Sequence, residues 1–377
     1  MKYFLVAGEA SGDMHGAALM SELKQLDAAA EFCFLGGDAM QAVGGELVRH
    51  YRDMAFMGFV NVVLNAGKVV RNFRLAKQAV RAFQPDVVIL IDYPGFNLKL
   101  STFVVNELKL PVYYYIAPKV WAWKAYRIRQ LKREMSGMLT IFPFETAYFA
   151  GHGLKVQYVG NPSVDAIHAF LEKEPAPEEI SPQRSARIAL LPGSRRQEIK
   201  ACLPVMLQAA EGFPEYEVII SGAPGVEPEF YASFLTNYPS VRVVTGQTYA
   251  LVRSASAAIV NSGTATLETA LLDTPQLVVY HVYGGRLTYW LKDRIIKTRF
   301  ISLVNILMNK EVVKELVAHL MTAENIAAEL ERILNHQEKR QQMLDQYRQL
   351  QLQLGPPGTA VRAATYLVDA LKNGPGR

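Results

Sequence analysis

Tyr3-Phe4-Leu5-Val6-Ala7 runs directly into Gly8-Glu9-Ala10-Ser11-Gly12-Asp13, and an amphipathic segment begins at Met14. The apolar run is typical of a buried strand, and the small residues that follow allow a tight bend into a helix. Such a turn presents backbone N–H groups and the positive end of a helix to an anion. It has neither the GxGxxG pattern nor the P-loop lysine. The stretch predicts a ligand-binding α/β domain; the alternative is a structural turn in which Asp13 caps the helix.

A second segment of the same construction lies in the middle of the chain. Ile188-Ala189-Leu190-Leu191 is followed by the turn Pro192-Gly193-Ser194-Arg195-Arg196-Gln197-Glu198 and by a helical pattern from Ile199. An arginine pair at the positive end of a helix is unfavourable unless an anion binds there, and arginine matches phosphate in a bidentate manner. We therefore interpret Arg195 as a phosphate ligand; the alternative is a surface ion pair with Glu198.

These two segments, one in each half, indicate two α/β domains whose turns face one cleft. A chain of 377 residues is longer than one ordinary core and fits two domains. We place the first domain at residues 1–165, completed by a C-terminal helix at 359–377, and the second at 166–355. Strands alternate with helical patterns, which predicts parallel sheets. The predicted strands are 3–7, 31–35, 86–91, 112–116, 137–141, 187–191, 217–221, 241–244, 257–260 and 276–280.

Composition narrows the class of protein. Half of the residues are apolar and a fifth are charged, which is typical of a globular protein. The two cysteines, Cys33 and Cys202, lie far apart in apolar contexts, so we expect buried thiols in a reducing compartment and no disulfide. Nothing near them has the spacing of metal ligands. We also expect no secretory signal and no membrane-spanning helix, because no apolar run reaches the required length of about 18 residues.

A third glycine turn follows the predicted strand at 257–260. Its sequence is Asn261-Ser262-Gly263-Thr264-Ala265-Thr266-Leu267-Glu268, and its N–H groups suit a second phosphate. Glu268 could accept hydrogen bonds from sugar hydroxyls. The alternative is an ordinary acid in the first turn of a helix, stabilised by the helix dipole.

Asp92 ends a long apolar run in the segment Ile91-Asp92-Tyr93-Pro94-Gly95-Phe96-Asn97. A charge at the end of a buried strand is costly unless it is used or paired. Asp92 is therefore a candidate general base, and the alternative is a turn aspartate before Pro94. Further along, Tyr113-Tyr114-Tyr115 could form either the wall of a ligand pocket or part of the core.

One region combines apolar and basic residues in a helical pattern. A helix with an apolar side and a basic side is suited to the surface of an anionic membrane. Nucleic acid is the rival partner, but no nucleic-acid-binding motif is present, so we favour a membrane; a core helix with a solvated basic face is the alternative. The candidate membrane-contact residues are Phe59, Val60, Val62, Val63, Lys68, Val69, Val70, Arg71 and Arg74.

Taken in order, the motifs resemble those of the lipid-A-disaccharide synthase family, glycosyltransferase family 19 of the GT-B superfamily. The resemblance covers nearly the whole chain, from Lys2 to about Leu316. It rests on six motifs: Gly8-Glu9-Ala10-Ser11-Gly12-Asp13, Ile91-Asp92-Tyr93-Pro94-Gly95-Phe96-Asn97, Val120-Trp121-Ala122-Trp123, Leu190-Leu191-Pro192-Gly193-Ser194-Arg195, Ser262-Gly263-Thr264-Ala265-Thr266-Leu267-Glu268 and Ser302-Leu303-Val304-Asn305.

This resemblance implies a GT-B fold of two Rossmann-like domains and an inverting glycosyltransferase that needs no metal or other cofactor. The donor would be UDP-2,3-diacylglucosamine and the acceptor 2,3-diacylglucosamine 1-phosphate (lipid X). The products would be the lipid A disaccharide 1-phosphate and UDP. The family acts peripherally on the cytoplasmic face of the inner membrane of Gram-negative bacteria, so the resemblance also implies that location. No feature of the sequence fixes an oligomeric state.

Carried over by motif position, the resemblance implies catalytic roles for Asp92, Arg195, Asn305 and Glu9. An inverting transfer needs a base at the acceptor hydroxyl and positive or N–H groups at the departing diphosphate, which Asp92 and Arg195 would supply. The implied UDP-sugar ligands are Ser11, Gly12, Gly193, Ser194, Arg195, Ser262, Gly263, Thr264, Thr266 and Glu268.

The sequence departs from the family pattern at three positions. Gly95 stands where members carry Asp, Lys119 where they carry Ser, and Asn161 where they carry His. The loop after the third predicted strand therefore has one acid, Asp92, rather than two. Two other classes of function remain: another UDP-sugar enzyme of the same architecture, such as a 2-epimerase or a soluble glycosyltransferase, and a nucleotide-sugar-binding protein without catalytic activity.

Overall fold

The computed structural model describes residues 1–54, 66–122, 124–173, 186–282 and 299–373. The chain divides into two compact units. The first consists of Met1–Pro162 and Pro357–Arg377, and the second of Ser163–Pro356. Each unit has its own parallel sheet with helices around it, so the α/β class predicted from the sequence is confirmed.

The first unit contains a seven-stranded parallel sheet in the order β3-β2-β1-β4-β5-β6-β7. The central strands are continuous apolar runs; all five residues of β4, for example, are buried. Such runs are typical of parallel strands that are covered on both faces. The strands are β1 Lys2–Ala7, β2 Glu31–Gly36, β3 Glu46–His50, β4 Val87–Ile91, β5 Val112–Tyr115, β6 Gly137–Thr140 and β7 Gln157–Tyr158.

Alternating side chains of β1 divide between two hydrophobic clusters in the first unit. Phe4 and Val6 belong to one cluster, and Tyr3, Leu5 and Ala7 to the other. The second cluster also contains residues of the first and the last helix of the chain, which pack together. The helices are α1 Ala10–Leu26, α2 Asp38–Val43, α3 Ala66–Phe83, α4 Pro94–Phe103, α5 Ile128–Glu134, α6 Pro143–Ala150, α7 Pro162–Lys173, which crosses into the second unit, and α15 Thr359–Lys372.

The second unit contains a six-stranded parallel sheet in the order β10-β9-β8-β11-β12-β13. Its strands are β8 Arg187–Leu191, β9 Glu217–Gly222, β10 Arg242–Thr245, β11 Ala257–Asn261, β12 Gln276–Tyr280 and β13 Glu315–Val317. Its helices are α8 Arg196–Ala210, α9 Pro228–Ala232, α10 Thr248–Ser254, α11 Thr264–Leu271, α12 Leu303–Met308, α13 Ala323–Asn335 and α14 Gln337–Leu354.

All ten predicted strands are confirmed, with ends that differ by at most one residue. β3, β7 and β13 are not predicted from the sequence. β3 is an edge strand with three polar residues among five, and β7 and β13 contain two and three residues. Such short or mixed segments carry too little hydrophobic pattern to be recognised.

Two further expectations concern side chains. Cys33 and Cys202 are buried and free, as predicted. Of the two interpretations of Tyr113, Tyr114 and Tyr115, the structure supports the core and not the pocket wall, because all three lie in β5 and are at most 1% exposed. They form part of the core.

Among the described residues, no helix has both the length and the apolar character that crossing a membrane requires.

Candidate active site

In the first sheet, the strand order brings the N-terminal turn and Asp92 to the same edge. β1 and β4 are neighbours in register, with Ala7 opposite Ile91. The residues that follow, Gly8 and Asp92, therefore leave the sheet side by side at its carboxyl edge. This is the point where the strand order reverses, and open α/β sheets bind their ligands there.

The backbone of Asp92 has an unusual conformation. Asp92 and Tyr93 both have positive φ values, 42° and 47°. Two consecutive left-handed residues that are not glycine are strained, and such strain persists only where the surroundings impose it. Asn97 donates from Nδ2 to the Asp92 carbonyl at 2.7 Å, and the Tyr114 hydroxyl donates to the same oxygen at 2.5 Å. These contacts fix the direction in which the Asp92 side chain leaves the backbone.

The electrostatic environment of Asp92 suits a proton acceptor. Burial raises the pKa of its carboxyl, while the Lys119 charge and the Tyr93 N–H oppose that rise. A carboxyl with a raised pKa is a stronger base than an ordinary aspartate. The sequence does not reveal the proximity of Lys119, which follows the neighbouring strand β5. The structure thus places a lysine beside the candidate base.

A close contact links the N-terminal turn to the Asp92 loop. The Tyr93 ring lies against Gly8, and a Cβ built on Gly8 would come within 2.2 Å of Tyr93 Cδ1. The ring has little freedom to move away, because the Tyr93 hydroxyl donates to the Met54 carbonyl at 3.1 Å and the ring stacks on Phe96. Gly8 therefore has no room for a side chain.

We expect Gly8→Ala to displace Tyr93 and the adjacent Asp92, and so to lower the rate of a reaction that Asp92 catalyses by about 100-fold, since a misplacement near 1 Å costs that much. Gly95→Ala is the matched control, because a Cβ at Gly95 meets no atom within 4 Å. Turnover rates and thermal unfolding of both variants check the prediction. A Gly8→Ala enzyme within threefold of the wild type would contradict it.

The other residues of the N-terminal turn differ in their exposure and in their contacts. Glu9 is the N-cap of α1 and is half-buried, and Ser11 is exposed. Gly12 is buried in α1, where a Cβ would lie 3.3 Å from the Ala7 Cβ, so it allows α1 to approach β1 closely. Asp13 does not cap α1. It accepts hydrogen bonds from the backbone N–H groups of Gly37, Ala39 and Met40 and so caps α2.

Sequence reasoning also misses a buried acid near this edge. Glu145 is 1% exposed, and burial raises its pKa to about 7 against the opposing effect of its hydrogen bonds. It accepts from Trp121 Nε1 at 2.9 Å and from the Phe142 N–H at 3.1 Å. The Lys119 charge also acts on it. Trp121, in the third family motif, is thus held by an acid on α6.

In the second sheet, the two remaining glycine turns meet in the same way. β8 and β11 are neighbours, with Leu191 opposite Val260. Gly193 has a φ of 125°, and a Cβ there would come within 2.7 Å of Glu198 and 2.9 Å of Asn261 Nδ2. Glycine is therefore required at this position, and the turns after β8 and β11 lie together at the point where this strand order reverses.

Arg195 is the N-cap of α8 and its side chain is 61% exposed. Its Nη1 donates to Glu198 Oε1 at 3.2 Å, and the other Glu198 oxygen accepts from the Ser194 and Arg195 N–H groups. The ion pair that the sequence offers as an alternative is therefore present. Arg196 pairs instead with Glu227 and lies 5.0 Å over the Phe230 ring. Of the two arginines, only Arg195 is tied to the turn itself.

The turn after β11 has an exposed centre and buried sides. Gly263, the N-cap of α11, and Thr264 are exposed. The Ser262 hydroxyl donates to the Ile301 carbonyl at 2.9 Å. The Thr266 hydroxyl is buried and donates to the Gly263 carbonyl at 2.8 Å. Ser262 and Thr266 therefore support the turn, and Gly263 and Thr264 present its outer surface.

Glu268 is not a first-turn acid, because α11 begins at Thr264 and Glu268 lies in its second turn. Burial raises the pKa of its carboxyl, and the Tyr249 hydroxyl, which donates to Oε1 at 3.2 Å, opposes that rise. The helix dipole therefore does not explain the position of Glu268. A half-buried carboxylate held by one tyrosine leaves acceptor capacity for sugar hydroxyls.

Asn305 lies in α12, is fully buried and is engaged on both sides of its amide. Nδ2 donates to the Val313 carbonyl and to Glu315, and Oδ1 accepts from the Val312 and Val313 N–H groups. The side chain of this candidate catalytic residue is therefore enclosed by hydrogen bonds to residues 312, 313 and 315 and does not lie on an open surface.

The basic region falls largely on α3. Lys68, Val70, Arg71 and Arg74 are exposed on this helix, and Val69 is half-buried. Lys77 and Arg81, one and two turns further, instead pair with Glu107 and lie over the Phe103 ring. The apolar candidates Phe59, Val60, Val62 and Val63 lie outside the described residues, as does Trp123 of the third motif.

The fold is similar to that of solved enzymes that include a UDP-GlcNAc 2-epimerase and a glycosyltransferase. The UDP-GlcNAc 2-epimerase from Neisseria meningitidis superposes with a TM-score of 0.61 at 16% identity, covering 99% of this chain and 100% of that one. The calicheamicin glycosyltransferase CalG4 superposes with a TM-score of 0.62 at 14% identity, covering 98% of each chain. At these identities the likeness establishes the GT-B fold alone.

Sequence comparison identifies the family. A family model described as lipid-A-disaccharide synthetase matches residues 3–364. The lipid-A-disaccharide synthase of Syntrophus aciditrophicus (strain SB) is 36% identical over 98% of this chain and 97% of its own length. That of Myxococcus xanthus (strain DK1622) is 35% identical over 100% of this chain and 98% of its own. Matches of this extent include both units and every motif described above, and the chain therefore belongs to the lipid-A-disaccharide synthase family.

Proposed function

We propose that this protein transfers 2,3-diacylglucosamine from UDP-2,3-diacylglucosamine to the 6-hydroxyl of lipid X with inversion, and releases the lipid A disaccharide 1-phosphate and UDP. The observation that carries the proposal is the partly buried carboxyl group of Asp92, which leaves a strained backbone at the reversal point of the first sheet. An acid in that setting is expected to act on a ligand.

In this mechanism Asp92 accepts the proton of the acceptor 6-hydroxyl as the oxygen attacks the anomeric carbon of the donor. The new glycosidic bond forms as the bond from that carbon to the UDP oxygen breaks, so the configuration inverts. Lys119, which lies beside Asp92, stabilises the charged form of the base before the transfer. Glu9, in the neighbouring turn, lies at the same carboxyl edge of the sheet.

In this mechanism, residues of the second unit stabilise the departing diphosphate. Arg195 and the N–H groups of the Gly193 and Gly263 turns supply positive charge where charge develops on UDP. Glu198 accepts from the Ser194 and Arg195 N–H groups and pairs with the Arg195 side chain, so phosphate binding requires Arg195 to exchange this carboxylate for the phosphate. Glu268 accepts hydrogen bonds from the ribose. Gly12 acts by close packing, while Ser11 remains an exposed candidate contact.

The direct test is an assay in detergent with UDP-2,3-diacylglucosamine and lipid X. The expected products are the disaccharide 1-phosphate and UDP in equal amounts. A protein that binds UDP but forms no disaccharide would contradict the proposed substrates and would favour a different UDP-sugar enzyme on the same fold.

We also propose that the protein binds peripherally to the cytoplasmic surface of the inner membrane through α3. The proposal rests on Lys68, Arg71 and Arg74, the basic face, which is exposed around Val70. Lipid substrates could then reach the site without leaving the bilayer entirely. Attraction of a basic face to anionic lipid contributes about 1 kcal/mol per Lys or Arg.

Reversal of the basic face by Lys68→Glu, Arg71→Glu and Arg74→Glu is expected to weaken binding to vesicles with 30% anionic lipid by at least about 100-fold. Activity in detergent should change little. The control is Lys310→Glu, Lys339→Glu and Arg348→Glu, which replaces three exposed cations of the second unit. Each triple variant lowers the net charge by 6, from +5 to −1. Equal weakening by the two variants, measured by vesicle sedimentation, would contradict a specific role of α3.

A further inference from the structure

Glu315, the first residue of β13, is a half-buried carboxylate on which several donors converge. Oε1 accepts from the Ser302 N–H at 2.9 Å, the Ser302 hydroxyl at 2.8 Å and Asn305 Nδ2 at 2.9 Å. Oε2 accepts from the Ile301 N–H at 3.0 Å. Charge-assisted hydrogen bonds of this kind are the stronger ones in proteins. Glu315 thus holds the segment from Ile301 to Asn305 against the edge of the second sheet.

Asn305 has no remaining capacity for a ligand. A side-chain amide offers two donor hydrogens and two acceptor positions. Both donors of Asn305 reach protein acceptors, Val313 O at 2.8 Å and Glu315 at 2.9 Å. Its oxygen accepts from Val312 N at 2.7 Å and Val313 N at 3.0 Å, and the residue is 0% exposed. A direct contact with substrate would require breaking this arrangement.

The segment that Glu315 and Asn305 hold supports the turn after β11. The Ile301 carbonyl accepts from the Ser262 hydroxyl at 2.9 Å, and the Leu303 N–H donates to the Thr266 hydroxyl at 3.3 Å. Thr266 in turn donates to the Gly263 carbonyl. Both sides of the Gly263 turn therefore rest on the 301–303 backbone, and a shift of that backbone would change the spacing of the turn's N–H groups.

We propose that Glu315 is a positioning residue for diphosphate binding, and that Asn305 acts with it in the same way rather than as a catalytic residue. Glu315 and Asn305 fix residues 301–303, and residues 301–303 set the shape of the Gly263 turn that receives the diphosphate of the nucleotide sugar. This role rests on the proposed function, since it requires that the turn binds phosphate. Glu315 lies outside the motifs of the sequence analysis.

The experiment compares the affinities of UDP and uridine by calorimetry. Glu315→Gln keeps the size of the side chain but presents an amide N–H₂ to at least one of the donors. We expect UDP to bind about tenfold more weakly, while the affinity for uridine stays within twofold, because only the phosphate-binding turn changes. Glu311→Gln is the matched control; Glu311 is exposed on the same connection and pairs with Lys314.

A milder variant keeps the test decisive if Glu315→Gln folds poorly. Ser302→Ala removes one hydroxyl donor to Glu315 and the side-chain acceptor of the Asn305 N–H, and a smaller loss of UDP affinity, about threefold, is expected. Equal weakening of UDP and uridine would overturn the positioning role in favour of a general loss of structure. A loss of kcat in Asn305→Asp with unchanged UDP affinity would overturn it in favour of direct catalysis.

Measurements on the wild type distinguish a failure of the proposed phosphate site from a failure of the proposed role of Glu315. A wild type that binds UDP no more tightly than uridine would overturn the phosphate site and this role together. A wild type that prefers UDP, with the same preference in Glu315→Gln, would overturn only the role of Glu315.

Discussion

Replacing Asp92 by asparagine is expected to lower kcat for disaccharide formation by a factor of about 10² to 10⁴, the usual contribution of a general base. Asparagine keeps the size of the side chain and cannot accept the proton. Affinity for UDP should not change, because the proposed diphosphate ligands belong to the second unit. Rates of disaccharide formation and UDP calorimetry on the same variant check both statements.

The control for Asp92→Asn is Asp86→Asn, which alters the other end of the same strand. Asp86 accepts from the Lys2 N–H at 2.7 Å, and an asparagine oxygen can do the same. This variant should keep kcat within threefold of the wild type. An Asp92→Asn enzyme that retains more than a tenth of the activity would show that Asp92 is not the base.

The pH dependence of kcat gives the same prediction a second readout. Below its pKa Asp92 is protonated and cannot act as a base, so kcat should fall about tenfold per pH unit on the acid side. Because burial raises this pKa, the fall should begin at a higher pH than for an ordinary aspartate. Lys119→Ser removes a cation that favours the carboxylate and should move the fall to still higher pH. An unchanged acid limb in Lys119→Ser would contradict the proposed interaction.

Local sequence patterns predicted ten strands and the glycine turns of this protein, because each strand and each turn is determined by consecutive residues. The apolar run of β4 makes Asp92 visible as a charge in a costly place. Its left-handed backbone and its tethers to Asn97 and Tyr114 are not visible, since Tyr114 lies on the next strand. Asp92 could thus be recognised from sequence as a candidate base, but the conformation of its backbone could not be predicted.

Predictions failed where a tertiary contact outweighed the local one. Asp13 has the right spacing to cap a helix, yet its carboxylate caps α2 because α1 and α2 pack together. Glu315 has no local signal at all, because its hydrogen-bond donors lie 10 or more residues upstream. Glu145 and Trp121 are likewise joined only by the fold. Residues that position a site are harder to recognise than those that form it.

The second large effect is expected from Arg195→Ala, which should lower kcat by a factor of about 10² to 10³ and weaken UDP binding, because a positive group at the departing diphosphate is lost. Folding should be nearly unaffected. The ion pair of Arg195 with Glu198 is exposed, and exposed pairs contribute at most about 1 kcal/mol to stability. Thermal unfolding, kcat and UDP affinity measured together therefore distinguish a lost ligand from a damaged fold.

Arg196→Ala is the control for Arg195→Ala, because the neighbouring side chain has the same charge and a similar exposure, 54% against 61%. Arg196 is directed to Glu227, the N-cap of α9, and to Phe230 on α9, and should contribute little to transfer. Arg195→Lys should recover only part of the lost rate, since an ammonium group lacks the bidentate geometry of a guanidinium. Equal losses in Arg195→Ala and Arg196→Ala would indicate a general electrostatic effect. A selective loss in Arg195→Ala assigns the diphosphate to one side chain, and Glu198 is then the carboxylate that the phosphate replaces.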